Sequence, residues 1–148
     1  MIELRGVTKK FSHVQGSTTV IDGASYLFEQ GSSYAIMGPS GVGKSTLLAL
    51  LAGFEEPTQG TITYHQKNVA TLVHGSSYEY ADFLQTTLGL VFQKPCLVPE
   101  LSMLENVSIK GLISGMPHQA CRARATQLLE RVGLGGCLQQ PVTTLSGG

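Results

Sequence analysis

Gly38-Pro39-Ser40-Gly41-Val42-Gly43-Lys44-Ser45-Thr46 is the stretch whose reading decides the fold. It sets a glycine, four residues and then Gly-Lys-Ser between a short apolar run, Ser33-Tyr-Ala-Ile-Met37, and a segment rich in leucine and alanine from Lys44 to Ala52. That succession predicts a strand, a tight loop and a helix. Average residue frequencies produce the four fixed matches by chance on the order of 10⁻⁵ to 10⁻⁴ per position. A flexible glycine turn with an accidental lysine is therefore a poor account of it.

Each residue type in the stretch has a physical task. Glycines let successive amides point inward as a nest for phosphate oxygens and leave no side chain in the way. The helix beginning at Lys44 adds the partial positive charge of its N-terminus. Lys44 is expected to reach the β and γ phosphates as a point charge, Ser45 to coordinate Mg²⁺ and Thr46 to donate to the α phosphate. The ligand expected on residues 38–46 is MgATP, although a phosphate loop alone leaves kinases, GTPases, motor proteins and transport ATPases open.

Upstream, residues 2–11 alternate loosely, and residues 18–28 carry β-branched and aromatic side chains around Asp22-Gly23; together they predict antiparallel strands. Downstream, Gly53 and Pro57 close the helix, Gly60 to Tyr64 has strand chemistry, and the polar residues 65–77 read as a loop. A short helix around Tyr78 to Leu84 leads into Leu88-Gly-Leu-Val-Phe92, whose nearly unbroken apolar character predicts a strand in the middle of a parallel sheet. Pro95 and Pro99 enforce an irregular segment. From Pro117, residues Cys121, Ala125, Leu128, Leu129 and Val132 place one apolar stripe on a helix that Gly133 stops.

The 148 residues suit one domain. Ten Lys plus Arg balance ten Asp plus Glu, so no basic excess attracts a polyanion, and nucleic acid is not expected as a partner. With 42% hydrophobic and 14% charged residues, the chain has enough apolar material for a buried sheet, and disorder is excluded. No apolar run approaches the roughly 18 to 20 residues of a membrane span, and the N-terminus has no signal-peptide pattern. Cys96, Cys121 and Cys137 are odd in number and widely spaced, and read as reduced thiols.

Three further features occur in order: Phe92-Gln93 ends the apolar run 49 residues after Lys44, Leu104-Glu-Asn-Val107 follows Pro99, and Leu145-Ser-Gly-Gly148 lies at the end of the sequence. With the phosphate loop, this set resembles the ATP-binding subunits of ABC transporters over the whole chain. Gln93 matches the family's glutamine-loop residue, and Leu145 to Gly148 match the first four of its five signature residues. Within the family, Gly89-Leu-Val-Phe-Gln93 with Leu97, Pro99, Leu101 and Leu104-Glu-Asn-Val107 looks most like the lipoprotein-release and macrolide-export class. Gln85-Thr-Thr87, where that class usually has basic residues, and Ser108-Ile-Lys110, where a proline is usual, depart from it.

The resemblance implies an α/β fold: a P-loop NTPase core with a mainly parallel sheet and flanking helices, an antiparallel β subdomain and the start of an α-helical subdomain, together an incomplete ABC ATPase domain. The nucleotide-binding core and its antiparallel part are expected in 1–93, and the helical subdomain in 94–148. ATP and Mg²⁺ are the implied cofactors. Phe11 is expected to stack on adenine, Gly38, Pro39, Ser40, Gly41, Val42, Gly43, Lys44, Ser45 and Thr46 to hold the phosphates, and Ser45 and Gln93 to ligate the metal. Ser146, Gly147 and Gly148 are expected to act on ATP held by a second nucleotide-binding subunit in a head-to-tail dimer. The remaining partner is a transmembrane permease subunit, which would hold the protein at the inner face of the cell membrane.

The features that the family places after the signature are absent from the sequence: the aspartate strand, the adjoining glutamate that acts as general base, and the switch histidine. His13, His65, His74 and His118 all precede the signature. No catalytic residue is therefore assigned. The chain is expected to bind nucleotide without hydrolysing it at a useful rate, because phosphoryl transfer needs an aligned water as well as a cradle. The Leu88 to Phe92 strand is expected to expose an apolar edge. A soluble ABC-type ATPase acting in translation or DNA repair, a small-molecule kinase and a subunit holding ATP only as a structural ligand are the alternatives.

Overall fold

A long antiparallel hairpin opens the chain. In the computed structural model, which describes residues 1–65, 67–94 and 96–145, β1 (Ile2–His13) pairs with β2 (Gly16–Phe28) in a register running from Ile2 opposite Phe28 to His13 opposite Gly16. The reversal falls at Val14-Gln15, and Asp22-Gly23 instead lies inside β2, at one of three breaks in the register. There Gly23 takes φ +58°, a conformation that glycine adopts without strain, and its amide donates to Thr8 Oγ1 at 2.9 Å. β3 (Gln59–Tyr64) pairs antiparallel with the other edge of β1, and β4 (Lys67–Asn68) adds a short outer strand, giving the order β2-β1-β3-β4.

Helix α1 (Lys44–Ala52) starts where the sequence places it and ends at Gly53, whose φ of +75° lets its amide donate back to Ala49 and Leu50 carbonyls. Leu50 and Leu51 bury against Leu4, Val7, Ile62 and Tyr64 of the sheet, with Val69 and Phe83 closing the core. Residues 69–74, expected as loop, form a short helix α2 (Val69–His74). Asn68 caps it by accepting from the Ala70 amide, and Val69, Leu72 and Val73, at i, i+3 and i+4, turn toward the core. Helix α3 (Ser77–Thr86) follows, with Ser76 as N-cap.

The parallel ladder expected for Ser33–Met37 and Leu88–Phe92 is not present among the described residues: neither segment has strand pairing. A parallel strand exists only against a neighbour returned by a crossover of a dozen or more residues, and apolar sequence cannot substitute for that neighbour. Tyr34 holds the first segment by other means. Its hydroxyl accepts from the Glu29 amide at 2.8 Å, and its ring meets Phe28 edge-on at 5.0 Å. In the second segment Val91 is fully exposed, so the apolar exposure expected there occurs without a strand.

The chain divides into two compact units, Met1–Leu88 and Gly89–Gly148. The second is helical. Ser102 and Glu105 form a reciprocal capping box at the start of α4 (Met103–Ile113), which packs against the helix that follows it, α5 (His118–Arg131). Gly111 allows the two helices to approach closely, since a Cβ there would lie 2.9 Å from Cys121 Sγ. Of the stripe on α5, Cys121, Ala125 and Leu129 are buried, but Val132 is 69% exposed because it already lies past the last helical residue. Met103, Leu104, Ala125, Leu129 and Val142 form this unit's core.

Candidate functional site

The phosphate-loop stretch folds as a succession of glycine-dependent turns. Gly38, Gly41 and Gly43 take φ of +151°, +81° and +104°, values that side-chain-bearing residues rarely adopt. Pro39, Ser40, Gly41 and Val42 form the turn between them, with the Val42 amide 3.5 Å from the Pro39 carbonyl. Lys44 is the first residue of α1; Ser45 and Thr46 lie in its first turn. Lys44 Nζ donates to the carbonyls of Gly38 at 2.9 Å and Pro39 at 2.8 Å, which arches the side chain over the loop and leaves its third proton directed elsewhere.

The two ends of α1 are treated differently. At the C-terminus the carbonyls are taken: Tyr64 donates to Leu51 O at 2.7 Å, and Tyr80 donates to Gly53 O at 3.2 Å. Burial pushes the Tyr64 hydroxyl up to about 12 and raises Tyr80 as well, keeping both as donors. At the N-terminus no side chain caps the helix, whereas Asn68, Ser76 and Ser102 cap α2, α3 and α4 with side-chain oxygens. The first-turn amides of α1 are thus left for an external acceptor, beside an ammonium group and a lining of glycines. This arrangement fits a polyphosphate. A Cβ at Gly43 would come 2.6 Å from Val20 Cγ1, so the loop has no room to become an ordinary capped turn.

Val20 ties this loop to the hairpin. It falls where β1 advances from Lys9 to Lys10 while β2 retreats from Ile21 to Thr19, and so has no partner in the ladder. Phe11 pairs with Thr18, only two residues along β2 from Val20, or roughly 7 Å of strand. Phe11 is 39% exposed, so it is not a core aromatic, and Lys9 Nζ stands over its ring at 4.8 Å from the centre. Sequence reading passed over Lys9 and Val20. Lys9 had one available signal, its spacing of two from Phe11 on a strand, which places both on one face.

Gln93 is exposed, at a bend in the second unit. Further along the chain, Asn106 acts as a clamp: its Oδ1 accepts from the Val98 amide at 2.8 Å, and its Nδ2 donates to the carbonyls of Val98, Leu101 and Ser102 at 3.0 to 3.1 Å. Glu105 accepts from Ser102, and the hydrogen bond from the Ser102 hydroxyl holds its carboxyl below the usual range. The Leu104-Glu-Asn-Val107 motif is thus a device that fastens residues 98–102 to the first turn of α4. Within Ser108-Ile-Lys110, where the class it resembles usually has a proline, Ser108 donates to Leu104 O at 2.7 Å and α4 continues without a break. Ser146, Gly147 and Gly148 lie outside the described residues; Leu145, just before them, is in a bend after the turn at Val142–Thr144.

A P-loop attached to an antiparallel hairpin, followed by a helical unit that ends in Leu-Ser-Gly-Gly, defines an ATP-binding cassette. The family model described as ABC transporter matches residues 21–148, and the chain belongs to that family. It is 39% identical over all 148 residues to the lipoprotein-releasing system ATP-binding protein LolD of Nitratidesulfovibrio vulgaris, covering 62% of that protein. It is 37% identical to the macrolide export ATP-binding/permease protein MacB 1/2 of Paracoccus denitrificans, covering 22% of it. Among solved structures, the dimeric bacterial ABC transporter cassette MJ0796 superposes with a TM-score of 0.87 at 28% identity, over 99% of this chain and 64% of that one. The same cassette in a post-hydrolysis state with ADP and Pi gives 0.86 at 27% identity. The fold class expected from the sequence, an incomplete ABC ATPase domain, therefore stands. The chain spans somewhat under two thirds of these single-cassette relatives.

Proposed function

We propose that this chain is the MgATP-binding part of an ABC transporter subunit in the lipoprotein-release and macrolide-export class. The observation that carries the reading is the uncapped, glycine-lined N-terminus of α1 with Lys44 arched beside it. Gly38 to Gly43 and the first-turn amides of α1 hold the β and γ phosphates, Lys44 neutralises their charge, and Thr46 donates to the α phosphate. Mg²⁺, when bound, draws charge from the phosphate oxygens; the Ser45 hydroxyl and the Gln93 carbonyl are the donors assigned to it. Phe11 stacks on the adenine.

The relatives named for lipoprotein release and macrolide export, and the dimeric solved cassettes, support the larger assembly. In it two such subunits meet head to tail, Ser146, Gly147 and Gly148 of each face the nucleotide of the other, and a transmembrane permease holds the pair at the inner face of the membrane. Among the described residues no helix is long and apolar enough to cross a membrane. The 148 residues themselves bind MgATP but do not hydrolyse it, because they contribute no group assigned to orient the attacking water.

Calorimetric titration with MgATP tests the reading. Saturable binding by the 148-residue protein, lost or weakened at least tenfold in Lys44→Ala, is the expected result, with no phosphate released above background. An unchanged isotherm in Lys44→Ala refutes the nucleotide site, and phosphate release that depends on Lys44 refutes the inactivity.

A further inference from the structure

Lys9 is an unusually enclosed lysine. Its side chain is only 12% exposed, whereas lysines are seldom buried without a specific partner. The ammonium group meets three things at once: Glu55 Oε2 at 2.6 Å, the Glu56 carbonyl at 2.8 Å and the Phe11 ring at 4.8 Å from its centre. Glu55 and Glu56 belong to the turn that leaves α1 after Gly53, 46 and 47 residues away in sequence. The strand on either side of Lys9 is fastened to the same turn, since Thr58 donates its amide to Thr8 O at 2.8 Å and accepts from the Lys10 amide at 2.9 Å.

A lysine whose only task was to join β1 to this turn would need the carboxylate and the carbonyl alone. The third contact is with an aromatic ring that remains partly open to solvent. An ammonium held over one face of a ring covers that face and fixes the ring's tilt. It also withdraws π density, leaving the opposite face a better partner for an electron-rich heterocycle. One stacking face remains, and its orientation is referenced to α1 through Glu55.

We propose that Lys9 is a positioning residue for nucleobase recognition: held by Glu55, it covers one face of Phe11 and presents the other to the purine of the nucleotide. The proposal rests on the reading that Phe11 stacks on adenine. Helix α1 then serves both ends of the ligand, offering its N-terminal amides to the phosphates and, through the turn at its C-terminus, setting the base platform. The consequence is a specific separation of effects. Loss of the Lys9 charge weakens binding of a nucleotide while leaving binding of a base-free polyphosphate unchanged.

The experiment compares MgATP with magnesium tripolyphosphate by calorimetry on the 148-residue chain and its variants. Phe11→Ala is expected to weaken ATP and spare tripolyphosphate. Lys9→Met, which keeps the apolar stem, is expected to weaken ATP by roughly three- to thirtyfold, the range of a cation held against an aromatic face, again sparing tripolyphosphate. Lys9→Met should add nothing on the Phe11→Ala background, and Lys9→Arg should restore most of the loss. If Phe11→Ala leaves the ratio of the two affinities unchanged, base stacking itself is wrong and the proposal falls with it. If Phe11→Ala lowers the ratio but Lys9→Met does not, or weakens both ligands alike, stacking survives and Lys9 is only a structural tie. Should Lys9→Met fail to fold, Glu55→Gln decides: a loss confined to ATP supports the proposal, and an unchanged ratio overturns it.

Discussion

Replacing Gly43 by alanine probes the loop at its most constrained point. Gly43 has φ +104° and ψ +8°, where a residue with a side chain is strained by roughly 1–2 kcal/mol. The added Cβ would stand 2.6 Å from Val20 Cγ1 and 3.3 Å from the Val20 carbonyl oxygen. The methyl can swing aside more easily than the backbone oxygen, and crowding of this kind in packed surroundings adds about 1–3 kcal/mol. The combined strain is about 2–5 kcal/mol, which the loop relieves by drawing its amides away from the phosphate position. Since about 1.4 kcal/mol is a factor of ten in affinity, Gly43→Ala should weaken MgATP at least tenfold in a calorimetric titration. Adding Val20→Ala should recover the contact portion but not the backbone portion. Gly41→Ala, with φ +81° but open space around the added Cβ, should show the backbone portion alone. A Gly43→Ala protein that binds and melts like the parent would refute the reasoning.

Two further outcomes follow from groups that hold the site's surroundings. Asn106→Ala removes four hydrogen bonds from the 98–102 segment and should destabilise the helical unit by roughly 2 kcal/mol, read as faster amide exchange at Val98 and as a lower melting temperature. The Tyr64 hydroxyl, raised to about 12 in the folded chain, contributes stability that is fully present below the unfolded value near 10 and is lost as pH rises through 12. Thermal unfolding should therefore move to lower temperature between pH 10 and 12, and Tyr64→Phe should flatten that slope; an equal slope in the variant would show that another group is responsible.

The legible parts of this protein are those whose physics is contained in a few consecutive residues. Positive-φ glycines at 38, 41 and 43, the helix that begins at Lys44 and the stop at Gly53 follow from local backbone freedom, and each stands where the sequence placed it. The hairpin was legible as two β-rich segments around residues 2–11 and 18–28, whereas the breaks in its register, including the one at Asp22-Gly23 within β2, depend on the pairing of the two strands. Helix α2 was hidden because polar residues around Val69, Leu72 and Val73 outweighed a three-residue apolar spacing.

What the sequence alone determined is the phosphate cradle and, through its motifs, membership of the ABC transporter family, because amide nests and helix starts are specified by neighbouring residues. Only the tertiary structure decided what those residues meet: Val20 against Gly43, Tyr64 on the last turn of α1, and Lys9 between Glu55 and Phe11. It also decided that the apolar runs at 33–37 and 88–92 form no ladder among the described residues. The physical reason is the same in every case. An ion pair, a close contact or a strand pairing is a property of two remote segments brought together, and neither segment carries it alone.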